Sequence, residues 1–271
     1  MAVPNFAILW PVRFAGSDNA LSVTTDATGT ATTETLSRTI TAGRNMWAAG
    51  DDQADAATYG GVGDLIDWFE RLLNVHTDAG GQTYEVTLSA AGVVTVEIDA
   101  GEFQLRFSDG TTSLDPTWLG FTSAVYTSAS STLTAPNQCR GWFAPARPVS
   151  ADSRDRQPYV ITRAATMDGT TRTARLTAPH KHREIAWRNM PQRYSLAEYA
   201  DAAEPTGTAE HVWSEAASLG RRLRVYPDAA TRTSSSYDLY HARTLEDPIS
   251  RSSINITRWD FALELSRADY T

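Results

Sequence analysis

Tyr84-Glu85-Val86-Thr87-Leu88, Val93-Val94-Thr95-Val96-Glu97-Ile98 and Phe103-Gln104-Leu105-Arg106-Phe107 follow one another with only short connections. Tyr84, Val86 and Leu88 alternate with polar residues, as do Phe103, Leu105 and Phe107. That period of two places apolar side chains on one face of a half-buried strand. Gly92 turns the chain between the first two runs. The three segments are expected to form a meander of short antiparallel strands, and they set the fold class as mainly β with minor α.

Working outward, the same alternation recurs in Trp259-Asp260-Phe261-Ala262-Leu263-Glu264-Leu265, whose four large apolar residues share one face. Phe6 to Trp10, Leu21 to Val23, Leu36 to Ile40, Glu184 to Trp187, Leu223 to Tyr226 and Tyr237 to Tyr240 read as further strands. Tyr159 to Arg163 and Arg172 to Leu176 flank Asp168-Gly169, a strong hairpin signal. Thr24 to Thr35 suits an extended hairpin or a mobile loop. The clearest helix runs from Asp64 to Val75, where Leu65, Ile66, Phe69, Leu72 and Leu73 make one apolar stripe. A second helix is expected from Ala209 to Leu219, with Gly220 at the position of a C-cap glycine.

Charge divides the chain. Residues 1–150 hold 7 arginines against 16 acidic residues, net −9, and residues 151–271 hold 17 basic against 16 acidic, net +1. Pro145, Pro148 and the charged run Ala151-Asp152-Ser153-Arg154-Asp155-Arg156 mark the expected junction. Residues 1–148 are read as an α+β module with the amphipathic helix and β-meander, and residues 149–271 as a β-sandwich-like module. An acidic half is poorly suited to nucleic acid, whose affinity rests on cations meeting phosphates. No run approaches the ~20 apolar residues of a membrane span. The N-terminus lacks a basic stretch followed by an apolar one, so neither secretion nor membrane insertion is expected. Cys139 is the single cysteine, which excludes an internal disulfide and a thiolate metal cage. Lys181 is the single lysine, and the other basic residues are arginine, which suits interfaces through bidentate pairing.

Candidate chemistry is sparse. His180 and His182 stand at i, i+2, with His76, His211 and His241 elsewhere, but no Cys, Asp or Glu completes a ligand spacing. Gly60-Gly61-Val62-Gly63-Asp64 precedes a helix but lacks the Gly-Lys-Ser/Thr ending of a phosphate loop. Asp51, Asp52 and Asp55 do not match a calcium loop. Asp238 and Asp260 sit inside strand patterns, and alternation turns Asp260 away from the apolar face. The eight tryptophans, Trp10, Trp47, Trp68, Trp118, Trp142, Trp187, Trp213 and Trp259, read as core and interface residues rather than a sugar platform. No catalytic, cofactor-binding or metal-binding residue is assigned, and the chain reads as no enzyme.

The order of segments in the first half is itself a signature: helix, the hairpin Tyr84 to Ile98, Phe103 to Phe107, then Ser113-Leu114 and Trp118-Leu119-Gly120-Phe121. Over roughly residues 36–122 this resembles a module repeated in tail and baseplate proteins of tailed bacteriophages. The second half resembles a distal-tail β-sandwich through Glu184 to Trp187, Arg224 to Pro227 and Trp259 to Leu265. The resemblance implies a virion tail component, made in the host cytoplasm, that forms a homo-oligomeric ring of six or three subunits. Its partners would be other tail proteins: tube, hub and fibres. It implies no active site and no cofactor. Thr24 to Thr35, Thr127 to Thr134 and Thr231 to Ser236 would be loops that order only in an assembly. A carbohydrate-binding adsorption module and a capsid or head–tail connector protein are the alternative readings.

Overall fold

The structure is a computed structural model that describes residues 6–13, 18–26, 30–40, 45–48, 65–76, 83–145, 149–156, 161–165, 171–175, 182–195, 207–227, 238–242, 248–251 and 257–267. Its strands, in chain order, begin with β1 (Ala7–Leu9), β2 (Val12–Arg13), β3 (Asp18–Thr25), β4 (Thr32–Thr39) and β5 (Asn45–Met46), followed by helix α1 (Leu65–Leu73). Then come β6 (Tyr84–Leu88), β7 (Val93–Ile98), β8 (Phe103–Arg106), β9 (Val125–Thr127), β10 (Thr132–Gln138) and β11 (Trp142–Phe143). The remainder holds β12 (Ala151–Arg156), β13 (Ile161–Ala165), β14 (Thr171–Arg175), β15 (His182–Pro191), the short helices α2 (Gln192–Ser195) and α3 (Ala209–Val212), β16 (Arg222–Tyr226), β17 (Asp238–Ala242), β18 (Ile249–Arg251) and β19 (Arg258–Arg267). The fold is mainly β with minor α, as the alternation indicates.

Two cores organise these elements. The first lies between a four-stranded sheet, β4-β3-β8-β9, and a three-stranded sheet, β10-β7-β6, with α1 packed among them. Leu65, Ile66, Trp68, Phe69, Leu72 and Leu73 of α1 are all buried there. The second core is wrapped by the curled eight-stranded sheet, ordered β11-β1-β16-β17-β19-β15-β12 with β18 added beside β19. Inside the curl, Trp187 stacks on Phe261 at 5.8 Å, and Phe143 meets both rings edge-on at 5.3 and 5.7 Å. Ala209, Val212, Ala216 and Ala217, from α3 and the π-helical turn Trp213–Ala217, fill the same core.

The wall between the cores is built from three segments far apart in the sequence. β1 pairs with β11 on one side and β16 on the other, all antiparallel. Along β1 the side chains alternate: Ala7 and Leu9 enter the first core, while Phe6, Ile8 and Trp10, which include its flanking residues, enter the second. β16 alternates likewise, Tyr226 facing the first core and Leu223 and Val225 the second. Trp142 and Phe143 of β11 divide in the same way. Strands buried on both faces carry no polar-out alternation, which is why Phe6 to Trp10 reads as a continuous apolar run.

Several expectations change at the level of pairing. The third strand of the meander does not join the second. β7 pairs with β6 and β10, whereas β8 pairs with β3 and β9 in the other sheet. The connection passes through Gly101, whose φ of +86° lets the chain leave one sheet for the other. The charged run Ala151 to Arg156, which marks the expected junction, forms strand β12, paired with β15. The Thr24 to Thr35 stretch contributes to the β3–β4 hairpin, registered from Asp18↔Thr39 to Thr25↔Thr32. Thr127 to Thr134 is a tight turn between β9 and β10: Ser130 and Ser131 have φ of +54° and +75°, and Ala129 bridges Thr132. Positive φ at both central residues is the backbone of a type I′ turn. β13 and β14 do form a hairpin. Its Asp168-Gly169 tip lies outside the described residues, as do Asp64 at the head of α1 and Thr231 to Ser236. The expected second helix is shorter and changes pitch, α3 passing into the π-helical turn before Gly220, at φ +64°, ends it.

Phe261 is fully buried and packs against two aromatic neighbours, Trp187 and Phe143. Phe261→Ala is expected to cost ~3–5 kcal/mol in chemical denaturation; an unchanged midpoint would show that this face is not core. Burial also pushes the Tyr84 phenol above its ordinary value of 10.0. The folded chain then keeps a proton that the unfolded chain releases, so this contribution is intact below about pH 10 and is lost as pH rises through the folded-state value. Tyr84→Phe is expected to flatten the alkaline fall in stability, measured by urea titration across that range.

Candidate functional site

A cleft of 390 Å³ opens where β10, the β1 end and α3 converge. Trp10, Phe121 and Trp142 supply apolar wall, and Gln138, His211 and Glu215 supply polar groups. The strip Asn137 to Gly141 forms its floor and is held by backbone bonds on both sides. Asn137 N–H donates to Gly120 O at 3.0 Å, Cys139 N–H to Gly92 O at 2.8 Å and Arg140 N–H to Trp118 O at 3.1 Å. Trp10 N–H donates to Gly141 O at 3.1 Å.

Two glycines make this close approach possible. Gly120, at φ +82°, ends the 3-10 turn Pro116–Leu119 that Asp115 caps, and a Cβ there would collide with Asn137 O. Gly92, at φ +80°, lies against the Trp142 indole with no room for a side chain. The Leu119-Gly120-Phe121 segment therefore serves as the seat for the β10 strand rather than as a free loop.

Two polar bridges cross the cleft, and a helix cap lies beside them. Glu215 accepts Trp10 Nε1–H at 3.0 Å on one oxygen, and on the other it receives Arg140 Nε–H at 3.0 Å and Nη2 at 2.9 Å. Gln138 spans to the opposite wall, donating to Ala91 O and accepting from Gly207 N–H, both at 2.5 Å. His211 closes a capping box at the start of α3: its N–H reaches Thr208 Oγ1 at 3.3 Å, and its Nδ1 accepts from Thr208 N–H at 3.4 Å. An accepting Nδ1 places the ring proton of the neutral imidazole on Nε2. The carboxylate is thus neutralised by its guanidinium partner and the imidazole is committed to a helix cap. The cluster fixes α3 and its π-helical turn against the wall strand; in this arrangement it holds parts together.

The residues weighed from sequence are scattered. His182 of β15 and His241 of β17 both lie opposite Ser266 of β19, one on each side. Two strand spacings separate them by roughly 10 Å, and His241 Nδ1 lies 3.2 Å from Gly220 O. His76 is buried with its Nδ1 3.4 Å from Glu34 Oε2. Among the described residues no group of three or more His, Cys, Asp or Glu could hold a metal ion. His180, the Gly60 to Gly63 run and Asp51, Asp52 and Asp55 lie outside the described residues. Asp238 and Asp260 are not a pair. β17 meets β19 only at its far end, which puts them roughly 30 Å apart along the strands. Asp238 Oδ2 faces the buried Arg183 at 3.7 Å. Asp260 holds a bulge in β15, accepting Asn189 N–H at 2.7 Å, where φ is +59°, and Arg188 Nη1–H at 3.2 Å.

Trp10, Trp68, Trp118, Trp142 and Trp187 are buried, and Trp47, Trp213 and Trp259 are half-buried. None presents an open ring. Sequence reading missed Arg224 and Arg183, two arginines buried in strand interiors. Arg224 lies 4.1 Å from the Trp47 ring centre, and Arg183 lies 5.7 Å from that of Phe6. The one signal for Arg224 was its place inside the apolar run Leu223 to Tyr226.

The sequence matches no protein-family model and no curated protein. Glu215→Ala would strand the buried Trp10 indole N–H, and it is expected to cost ~1–3 kcal/mol. Arg140 is 41% exposed, so Arg140→Ala is expected to cost less, under ~1 kcal/mol. Equal losses in urea denaturation would refute this division of labour.

Proposed function

We propose that this chain is a structural protein of a phage virion, a ring-forming adaptor in the tail or baseplate, and no enzyme. The observation that carries the reading is the surface of the β3–β4 hairpin. Thr33, Thr35, Ser37 and Thr39 form its exposed row on β4 without a single charge. A surface without charges loses little on leaving water, and charge depletion marks the centres of protein interfaces. The polar cluster of the cleft supports the same reading, since Glu215 and His211 are both engaged in holding the fold.

Subunits of a closed ring meet head to tail through two different patches. The arginine-rich second half offers donors for a neighbour's carboxylates. An acidic first half lining a channel would let DNA pass, because no phosphate charge is neutralised there. The partners are further copies of the chain, in sixes or threes, and the tube, hub and fibre proteins of the tail. A carbohydrate-binding module is the second reading, and glycan binding by the isolated monomer is what would distinguish it.

Electron microscopy of the assembled particle or purified oligomer tests the proposal. A ring of six or three copies is expected. A monomer that binds glycans on its own would replace it with the second reading. Turnover of a cell-wall or glycan substrate, lost on a single Asp or His substitution, would overturn it.

A further inference from the structure

Sheet edges expose backbone donors and acceptors, and proteins generally blunt them with charge, proline, brevity or cover. Most edges here are blunted. β6 is covered by α1: Glu70 accepts Val86 N–H at 2.9 Å, and Asn74 exchanges two bonds of 2.8 Å with the Tyr84 backbone. β10 carries Pro136, and the N–H of Asn137 is given to Gly120. β12 is the charged run Asp152 to Arg156, and β9, β11 and β18 have three residues or fewer. β13 and β14 carry Arg163, Arg172 and Arg175.

β4 is different. It has eight residues and no proline, and it pairs with β3 along its whole length. Among the described residues nothing pairs with its other edge. Its outward row is all hydroxyl. Its inward row is Glu34, Leu36 and Arg38, with Leu36 buried and the two charges half-buried.

We propose that β4 is the edge through which two copies of this chain join, antiparallel and centred on Leu36. The sequence is self-complementary only in that register. With Leu36 opposite itself, Glu34 of each copy faces Arg38 of the other, Thr35 faces Ser37 and Thr33 faces Thr39. Sliding by two residues in either direction sets one of the charges against Leu36, and sliding by one turns the buried row outward. Opposite charges directly across an antiparallel pair stabilise it, and like charges destabilise it. This two-fold contact is isologous, so it is distinct from the head-to-tail contacts of a ring and would join rings or free subunits in pairs. It rests on the assembly reading above and names one of its contacts.

The test is the mass of the full chain by light scattering and sedimentation, with Glu34→Arg and Arg38→Glu made singly. The native mass is expected to be an even multiple of 29.6 kDa. Each single variant is expected to halve it, with association at least about tenfold weaker. Mixing the two variants restores the native mass, because each supplies the charges the other lacks. Since Glu34 also lies near His76, Thr35→Lys with Ser37→Lys serves as an independent disruption at exposed positions. A native chain that is monomeric at all concentrations overturns the pairing. So does association that survives all of these variants, or a mixture of folded single variants that fails to recover. A native chain that assembles by another surface sinks only the β4 contact, whereas β4 pairs in a particle without rings sink only the ring.

Discussion

Three strands hold the molecule together: β1, β11 and β16, each buried on both faces. The wall they form gives Ala7, Leu9, Trp142 and Tyr226 to one core and Phe6, Ile8, Trp10, Phe143, Leu223 and Val225 to the other. Neither core closes without it. Each apolar residue buried from water contributes on the order of 1.5–3 kcal/mol, and here both faces of the same backbone collect that gain. The cost is that every backbone group of the wall must be paired within the sheet, which the antiparallel registers β11-β1-β16 achieve.

The wall also explains why charge and architecture divide the chain differently. The acidic first half and the near-neutral second half are real features of the sequence. Yet residues 7–9 and 142–143 lie in the sheet formed mainly by the second half, and Tyr226 reaches into the first core. Surface charge is set by what each region faces in water. Core membership is set by which strands fill a gap, and a three-residue strand from the N-terminus fills this one.

Polar groups at the seams serve geometry. Asp260 steadies a bulge with a left-handed asparagine, Asp115 caps a 3-10 turn, Glu215 ties an indole to a guanidinium, and Gln138 spans two backbones. Each satisfies donors that would be expensive to bury alone. Side chains so engaged hold shape. The β4 edge is eight residues long and free of proline, and its exposed row is all hydroxyl.

What the sequence by itself determined is local. Period-two alternation located the strands at Tyr84, Val93, Phe103 and Trp259, and the apolar stripe located α1, because side-chain direction follows from backbone geometry alone. The buried roles of most tryptophans and the structural place of Asp260 were legible for the same reason. Tertiary structure decided the partners. Alternation shows that Phe103 to Arg106 is a strand, but its hydrogen bonds fit any neighbouring edge, and Gly101 with the capture of β7 by β10 sends it to the other sheet. Ala151 to Arg156 does not read as a strand because an edge strand needs no apolar face, only a partner with backbone groups to pair, which β15 provides. The cleft cluster joins residues 10, 140 and 215, and no spacing in a chain announces a contact made by three distant segments.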